Sequence, residues 1–214
     1  MSGIDWKTCI TERLAGSKPR HAPADWLLPG LSAEQTHAYR GFFPQTLLPA
    51  AVLMPLIERG RELTVLLTQR SIELKSHAGQ ISFPGGRVNA DESPREAALR
   101  EAREEIGLDP GLVSVAGYLP DHVLLSGFRV TPVVGFVQAG FDILLESGEV
   151  EDTFEVPLDY VFEPANHRTR RRRFAEVADE IELVDIPYGT HNIWGATAGM
   201  LITLYRLCTS ESCA

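Results

Sequence analysis

Residues 85–108 read GGRVNADESPREAALREAREEIGL. Two glycines open the stretch and punctuate the chain strongly. Ser93 is a good helix cap, Pro94 suits the first helical position, and Glu96 falls three residues after the cap. Ala97, Ala98, Leu99 and Ala102 are helix formers, and Gly107 supplies a stop. The stretch predicts a glycine loop feeding a helix that ends at Gly107.

The acids of this helix are not spread evenly. Glu101 and Glu105 are four residues apart, and Glu104 is three from Glu101. At 3.6 residues per turn the three share one face, with Cβ atoms about 5–6 Å apart. Like charges so placed destabilise an isolated helix. They also sit in its C-terminal half, where the macrodipole disfavours anions. A sequence that carries both penalties points to a compensating cation, and all-oxygen ligands select Mg²⁺ or Mn²⁺ over zinc. The alternative is a solvated acidic face balanced by Arg95, Arg100 and Arg103. The loop favours the cation: Gly85 and Gly86 permit close backbone approach, and the Gly86 carbonyl is available to the same ion. Glu92, at the helix entrance, is placed to pair with Arg100.

Outward from the helix, the apolar runs Ala51–Ile57 and Leu63–Thr68 predict a hairpin turning at Gly60. Gly79–Phe83, Leu112–Leu119 and Val130–Gln138 predict strands, and Val156–Phe162 a short turn or helix. Phe174–Val177 and Ile181–Ile186 suggest a second hairpin. Residues 4–15, Ser32–Tyr39 and Ile193–Leu207 predict helices, the last apolar enough to pack on a sheet. The fold class is α/β or α+β, a mixed sheet between helices.

The chain has 214 residues and a net charge of −9. Five of its 20 basic residues lie between Arg168 and Arg173, leaving 15 against 29 acids elsewhere. That balance argues against nucleic acid and anionic lipid as partners. The longest apolar run, Leu47 to Ile57, contains two prolines and is too short to span a membrane. The N-terminus has no signal-peptide character. Cys9, Cys208 and Cys213 make neither a disulfide framework nor a zinc site, so a reducing, cytoplasmic setting is expected.

Gly86, Glu92 and Arg100-Glu-Ala-Arg-Glu-Glu-Ile-Gly-Leu108 match every fixed letter of the Nudix box, G-x5-E-x7-R-E-U-x-E-E-x-G-U. Ala102 stands where a bulkier aliphatic is usual. The chain thus resembles the Nudix hydrolases. The resemblance implies an α/β/α sandwich and metal-dependent hydrolysis of a nucleoside diphosphate derivative. It assigns the metal to Glu101 and Glu105, with Glu104 and the Gly86 carbonyl assisting. In that chemistry divalent ions neutralise the diphosphate, and a carboxylate takes a proton from the attacking water.

Just upstream, Leu66-Leu-Thr-Gln-Arg70-Ser71, Lys75, Gly79 and Phe83-Pro-Gly-Gly86 resemble the additional motif of Nudix coenzyme A pyrophosphatases, L-L-T-x-R-S-x3-R-x3-G-x3-F-P-G-G. Lys75 replaces an arginine, keeping charge but not bidentate geometry. Glu155–Leu158 and Ile193–Ala198 also resemble this subfamily, so the likeness spans about residues 49–205. It implies cleavage of CoA or acyl-CoA to 3′,5′-ADP and 4′-phosphopantetheine or its acyl form. Arg70, Lys75, His77 and Gly85 are the candidate substrate-binding residues. Another nucleotide substrate (ADP-ribose or NADH) and a non-catalytic ligand sensor are the alternatives.

The acids Glu146, Glu149, Glu151, Asp152 and Glu155 fall in a predicted loop. Glu149 is the candidate for a further metal contact or the general base; a solvated loop is the alternative. The arginine run reads first as a solvated edge strand whose charge blocks sheet pairing, and second as a phosphate grip. Residues 1–48 are expected to be an extension packed on a hydrolase domain of 49–207, covering the site or making a homodimer contact. Residues 208–214 form a tail.

Overall fold

The computed structural model describes residues 4–22, 26–27, 36, 46–73, 77–173 and 180–210. The hairpin at Gly60 forms β1 (Leu48–Arg59) and β2 (Glu62–Arg70), with Gly60 at φ 70° serving the turn. Strands β3 (Ile81–Ser82) and β4 (Gly85–Arg87) precede helix α2 (Pro94–Ile106). Helix α1 (Trp6–Leu14) stands near the N-terminus. After α2 come β5 (Val113–Tyr118), β6 (His122–Val123), β7 (Phe128–Val137), β8 (Val150–Pro157) and α3 (Leu158–Val161). Strands β9 (Arg168–Arg173), β10 (Glu180–Tyr188) and β11 (His191–Ile193) and helix α4 (Gly195–Thr209) complete the described elements.

The main sheet is mixed. β1 runs parallel to β7 over its length and antiparallel to β2 only from Leu56 to Arg59. Toward its N-terminal end β1 pairs instead with β4, Ala51 opposite Gly86. β2 continues past β1, pairing with β3 on that side and with β8 on the other. The two strands of the hairpin therefore fork, and Phe83-Pro-Gly-Gly86 fills the gap.

Each sheet face has its own core. On one, α2 sets Ala97, Ala98, Ala102 and Ile106 against Ala51, Leu53, Leu66, Val133 and Val137. The alanines let the helix lie close to the sheet, and truncating the fully buried Ile106 to alanine should cost roughly 2–5 kcal/mol. On the other face α1 and α4 cover Met54, Val65, Leu67 and Val134. This is the expected α/β/α sandwich. α1 is tied to α4 by the Cys9 thiol, which donates to the Cys208 carbonyl at 3.5 Å, and by Arg13 to the Ser210 carbonyl at 2.7 Å.

Strand β10 pairs with the arginine run Arg168–Arg173, and the expected strand Phe174–Val177 lies outside the described residues. Opposite charges across the ladder favour this register. The acids expected in a loop divide: Glu151, Asp152 and Glu155 lie on β8, because β2 offers that segment a complete ladder. The expected helix Ser32–Tyr39 falls outside the described residues save Thr36.

Candidate active site

Helix α2 starts as its sequence requires. Ser93 Oγ accepts from Glu96 N at 3.3 Å, and Ser93 N donates to Glu96 Oε2 at 2.8 Å, completing the capping box. Gly107 closes the helix at φ 70°. Between these ends the three glutamates share a face but not a depth. Side-chain exposure falls from 58% at Glu104 to 17% at Glu101 and 4% at Glu105.

Arg100 ties the entry loop to the helix. Its Nε donates to Glu92 Oε1 at 2.8 Å and its Nη2 to Glu92 Oε2 and the Arg87 carbonyl, both at 3.0 Å. Its Nη1 reaches Glu101 at 2.8 Å and Glu104 at 3.0 Å. The guanidinium holds the Glu92 carboxyl below its usual range, and Glu92 in turn does most to raise Arg100.

Glu105 is the buried member. Gly85 N donates to its Oε2 at 3.3 Å, and Arg70 Nη1 stands 3.9 Å from its Oε1. Burial pushes its pKa up to about 8; the charges of Glu101 and Glu149 add to the rise, while Arg70 and the Gly85 amide oppose it. Gly86 lies against Glu101, and a Cβ at residue 86 would fall inside that carboxylate. At Gly85 a Cβ would strike the Ala51 carbonyl and Val52. The first glycine thus fits β4 to β1, and the second makes room for Glu101.

Arg70 ends β2 on the α2 side of the fork. Its Nε is buried without a hydrogen-bond partner among the described residues. Next to it, Ser71 N donates to the Glu149 carbonyl at 2.9 Å, which draws Glu149 toward Arg70 and Glu105. The structure therefore gathers Arg70, Gly85, Gly86, Glu101, Glu105 and Glu149 at the fork, with Glu104 at the rim. His77 lies in a turn at φ 57°, its Nδ1 2.8 Å from Gln80 Oε1. Lys75 lies outside the described residues. Glu155 is engaged elsewhere, accepting from Arg59 and Thr64. A cleft of about 370 Å³ lined by Glu58, Arg95, Ser114 and Gln138 shares none of these residues.

The arrangement suits a hard divalent ion in its donor chemistry. The donors are oxygens, Glu105 is a buried acid whose one ion pair among the described residues, with Arg70, spans 3.9 Å, and Gly86 leaves a Cβ-free cradle beneath Glu101. Among the described residues no three carboxylate, imidazole or thiol side chains already form a ligand cage. Arg100 occupies Glu101 and Glu104, so a cation entering the site competes with a guanidinium. Sequence reading missed two features: Arg70 beside Glu105, which requires the strand fork, and residues 141–149 folded across the end of α2. In that segment Leu144 N donates to the Ile106 carbonyl and Glu146 N to the Glu105 carbonyl.

A family model for the NUDIX domain matches residues 47–177. An uncharacterized Nudix hydrolase NudL of Citrobacter koseri is 40% identical over 155 residues, covering 71% of this chain and 78% of its own length. The NudL of Escherichia coli K12 is 39% identical over the same extent. Among solved structures, a MutT protein from Methanosarcina mazei Go1 matches 56% of this chain and 83% of its own at 27% identity and a TM-score of 0.45. A MutT/nudix family protein from Enterococcus faecalis matches 81% of this chain and 68% of its own at 15% identity and a TM-score of 0.48.

Proposed function

The chain belongs to the Nudix family, as a hydrolase of a nucleoside diphosphate derivative, and we propose that its substrate is coenzyme A or an acyl-CoA. The products would be 3′,5′-ADP and 4′-phosphopantetheine or its acyl form. One observation carries the reading. Arg70, from the Leu66–Ser71 segment that resembles the CoA pyrophosphatases, ends beside Glu105 with a buried Nε that has no partner among the described residues. A buried donor without a partner is costly, and a phosphate oxygen would satisfy it.

Nudix hydrolases generally use divalent ions such as Mg²⁺ or Mn²⁺. In this chain Glu101 and Glu105 would hold the ion, with Glu104 and the Gly86 carbonyl assisting. When bound, the ion neutralises the diphosphate and acidifies a water. Arg70 binds a phosphate oxygen and steadies charge at the scissile bridge. Gly85 N fixes the Glu105 carboxylate, and Arg100 fixes the helix against its entry loop through Glu92. Glu149, exposed and close to Glu105, accepts the proton of the attacking water as its oxygen bonds to phosphorus and the bridging P–O bond opens. The reading takes residues 49–207 as the hydrolase domain, 1–48 as an extension packed on it and 208–214 as a tail, in a cytoplasmic setting.

The test is product analysis after incubation with CoA, acetyl-CoA, ADP-ribose and NADH, with Mg²⁺ and then Mn²⁺. Release of 3′,5′-ADP from CoA or acetyl-CoA is expected. Turnover of ADP-ribose or NADH with both CoA compounds untouched would overturn the CoA assignment.

A further inference from the structure

Glu146 carries no role in the reading above, yet the segment before β8 is organised around it. Its backbone N–H donates to the Glu105 carbonyl at 3.0 Å, anchoring the segment to the last turn of α2. Its carbonyl accepts from Glu149 N at 3.1 Å and Val150 N at 2.9 Å, closing the turn into β8. Its carboxylate also turns back on the chain: Oε2 accepts from Gly148 N at 2.8 Å and from Glu149 N at 2.9 Å. The far side of Glu149 is held by Ser71 N, next to Arg70. Glu149 is thus gripped at its N–H by Glu146 and at its carbonyl by Ser71, the residue after β2.

We propose that Glu146 is a positioning residue: its carboxylate caps the 146–149 turn and so holds Glu149 over Glu105 and Arg70. The oxygen that caps the turn points at backbone amides, so the group is used as a hydrogen-bond acceptor and not as a metal ligand or a base. Misplacing a reacting group by an ångström costs rate far more than binding. Loss of the cap therefore lowers kcat and spares KM. The inference rests on Glu149 taking part in hydrolysis, and it separates chemically from that premise. A glutamine at 146 keeps an acceptor oxygen and loses only the charge, whereas a ligand or base cannot survive that exchange.

The experiment compares E146A, E146Q and E149Q on the substrate that the wild type turns over, with amide hydrogen exchange at Gly148 and Glu149 as a readout independent of turnover. Glu146 is exposed, so alanine leaves no cavity. The expected result is kcat lowered about tenfold in E146A with KM within about twofold, and faster exchange at both amides. E146Q should match wild type in rate, pH profile and exchange. Equal loss in E146Q and E146A, or wild-type behaviour in E146A, overturns the proposal. Wild-type rates in E149Q overturn its premise instead, whatever exchange shows.

Discussion

Helix α2 and strand β9 each carry charge at a density that an isolated segment would resist. The fold answers them differently. Strand β9 meets its counter-charges on the neighbouring strand β10, opposite or diagonal to them in the ladder. Arg171 pairs with Glu182 at 3.1 Å, and Arg170 pairs with Asp185 at 3.0 Å while lying over the Trp194 ring at 5.7 Å. Arg173 stands opposite Glu180 in register. On α2, Arg100 answers Glu92, Glu101 and Glu104, but Glu105 is buried and its one ion pair among the described residues is with Arg70, at 3.9 Å. A charge run whose partners the fold supplies is structural. A buried acid left short of a partner marks where a ligand completes the electrostatics.

The largest test of this contrast is Glu105→Gln. Turnover should fall roughly 10²–10⁴-fold with the fold intact. Wild-type rates in the variant would remove Glu105 from the chemistry. The same acid makes metal-free stability depend on pH. Its pKa is about 8 when folded against 4.5 as reference, so the folded chain holds a proton the unfolded chain has released. Stability from this group is full below about 4.5, declines as pH rises toward 8, and levels off above. Thermal unfolding in chelator should show that decline in wild type and a flatter profile in E105Q. For the same reason Mn²⁺ binding at pH 7 should release a proton that E105Q does not.

A smaller effect separates the two glycines. Gly86→Ala should lower kcat about ten- to a hundredfold by displacing Glu101, with little change in melting. Gly85→Ala presses on β1 and should cost about 1–3 kcal/mol in denaturant unfolding. Equal behaviour of the two variants would show that Glu101 yields freely. The smallest effect is expected at Arg171→Ala, an exposed pair: stability within about 0.5 kcal/mol and unchanged KM. A raised KM there would turn β9 into a phosphate grip.

Helix α2 was legible because its signals are local. Ser93, Pro94, Glu96 and Gly107 act within a turn of themselves, and the spacing of Glu101, Glu104 and Glu105 fixes their common face. The hairpin at Gly60 was legible for the same reason. The pairing of β9 with β10 was not, since it rests on complementary charges that meet only across the ladder. Nor was β8, whose acids read as a loop until β2 supplied hydrogen bonds from far upstream, Arg70 opposite Val150 at the near end and Thr64 opposite Pro157 at the far end.

The sequence alone determined that three carboxylates share a helix face behind a double glycine, because covalent spacing and helical period set that arrangement. Their depths came from the tertiary structure. Burial of Glu105 against Gly85, Arg70 beside it and Glu149 drawn in by Ser71 all depend on β1 and β2 forking around Phe83–Gly86. Local spacing cannot encode a fork, because it arises only when strands distant in sequence compete for the same hydrogen-bonding edge.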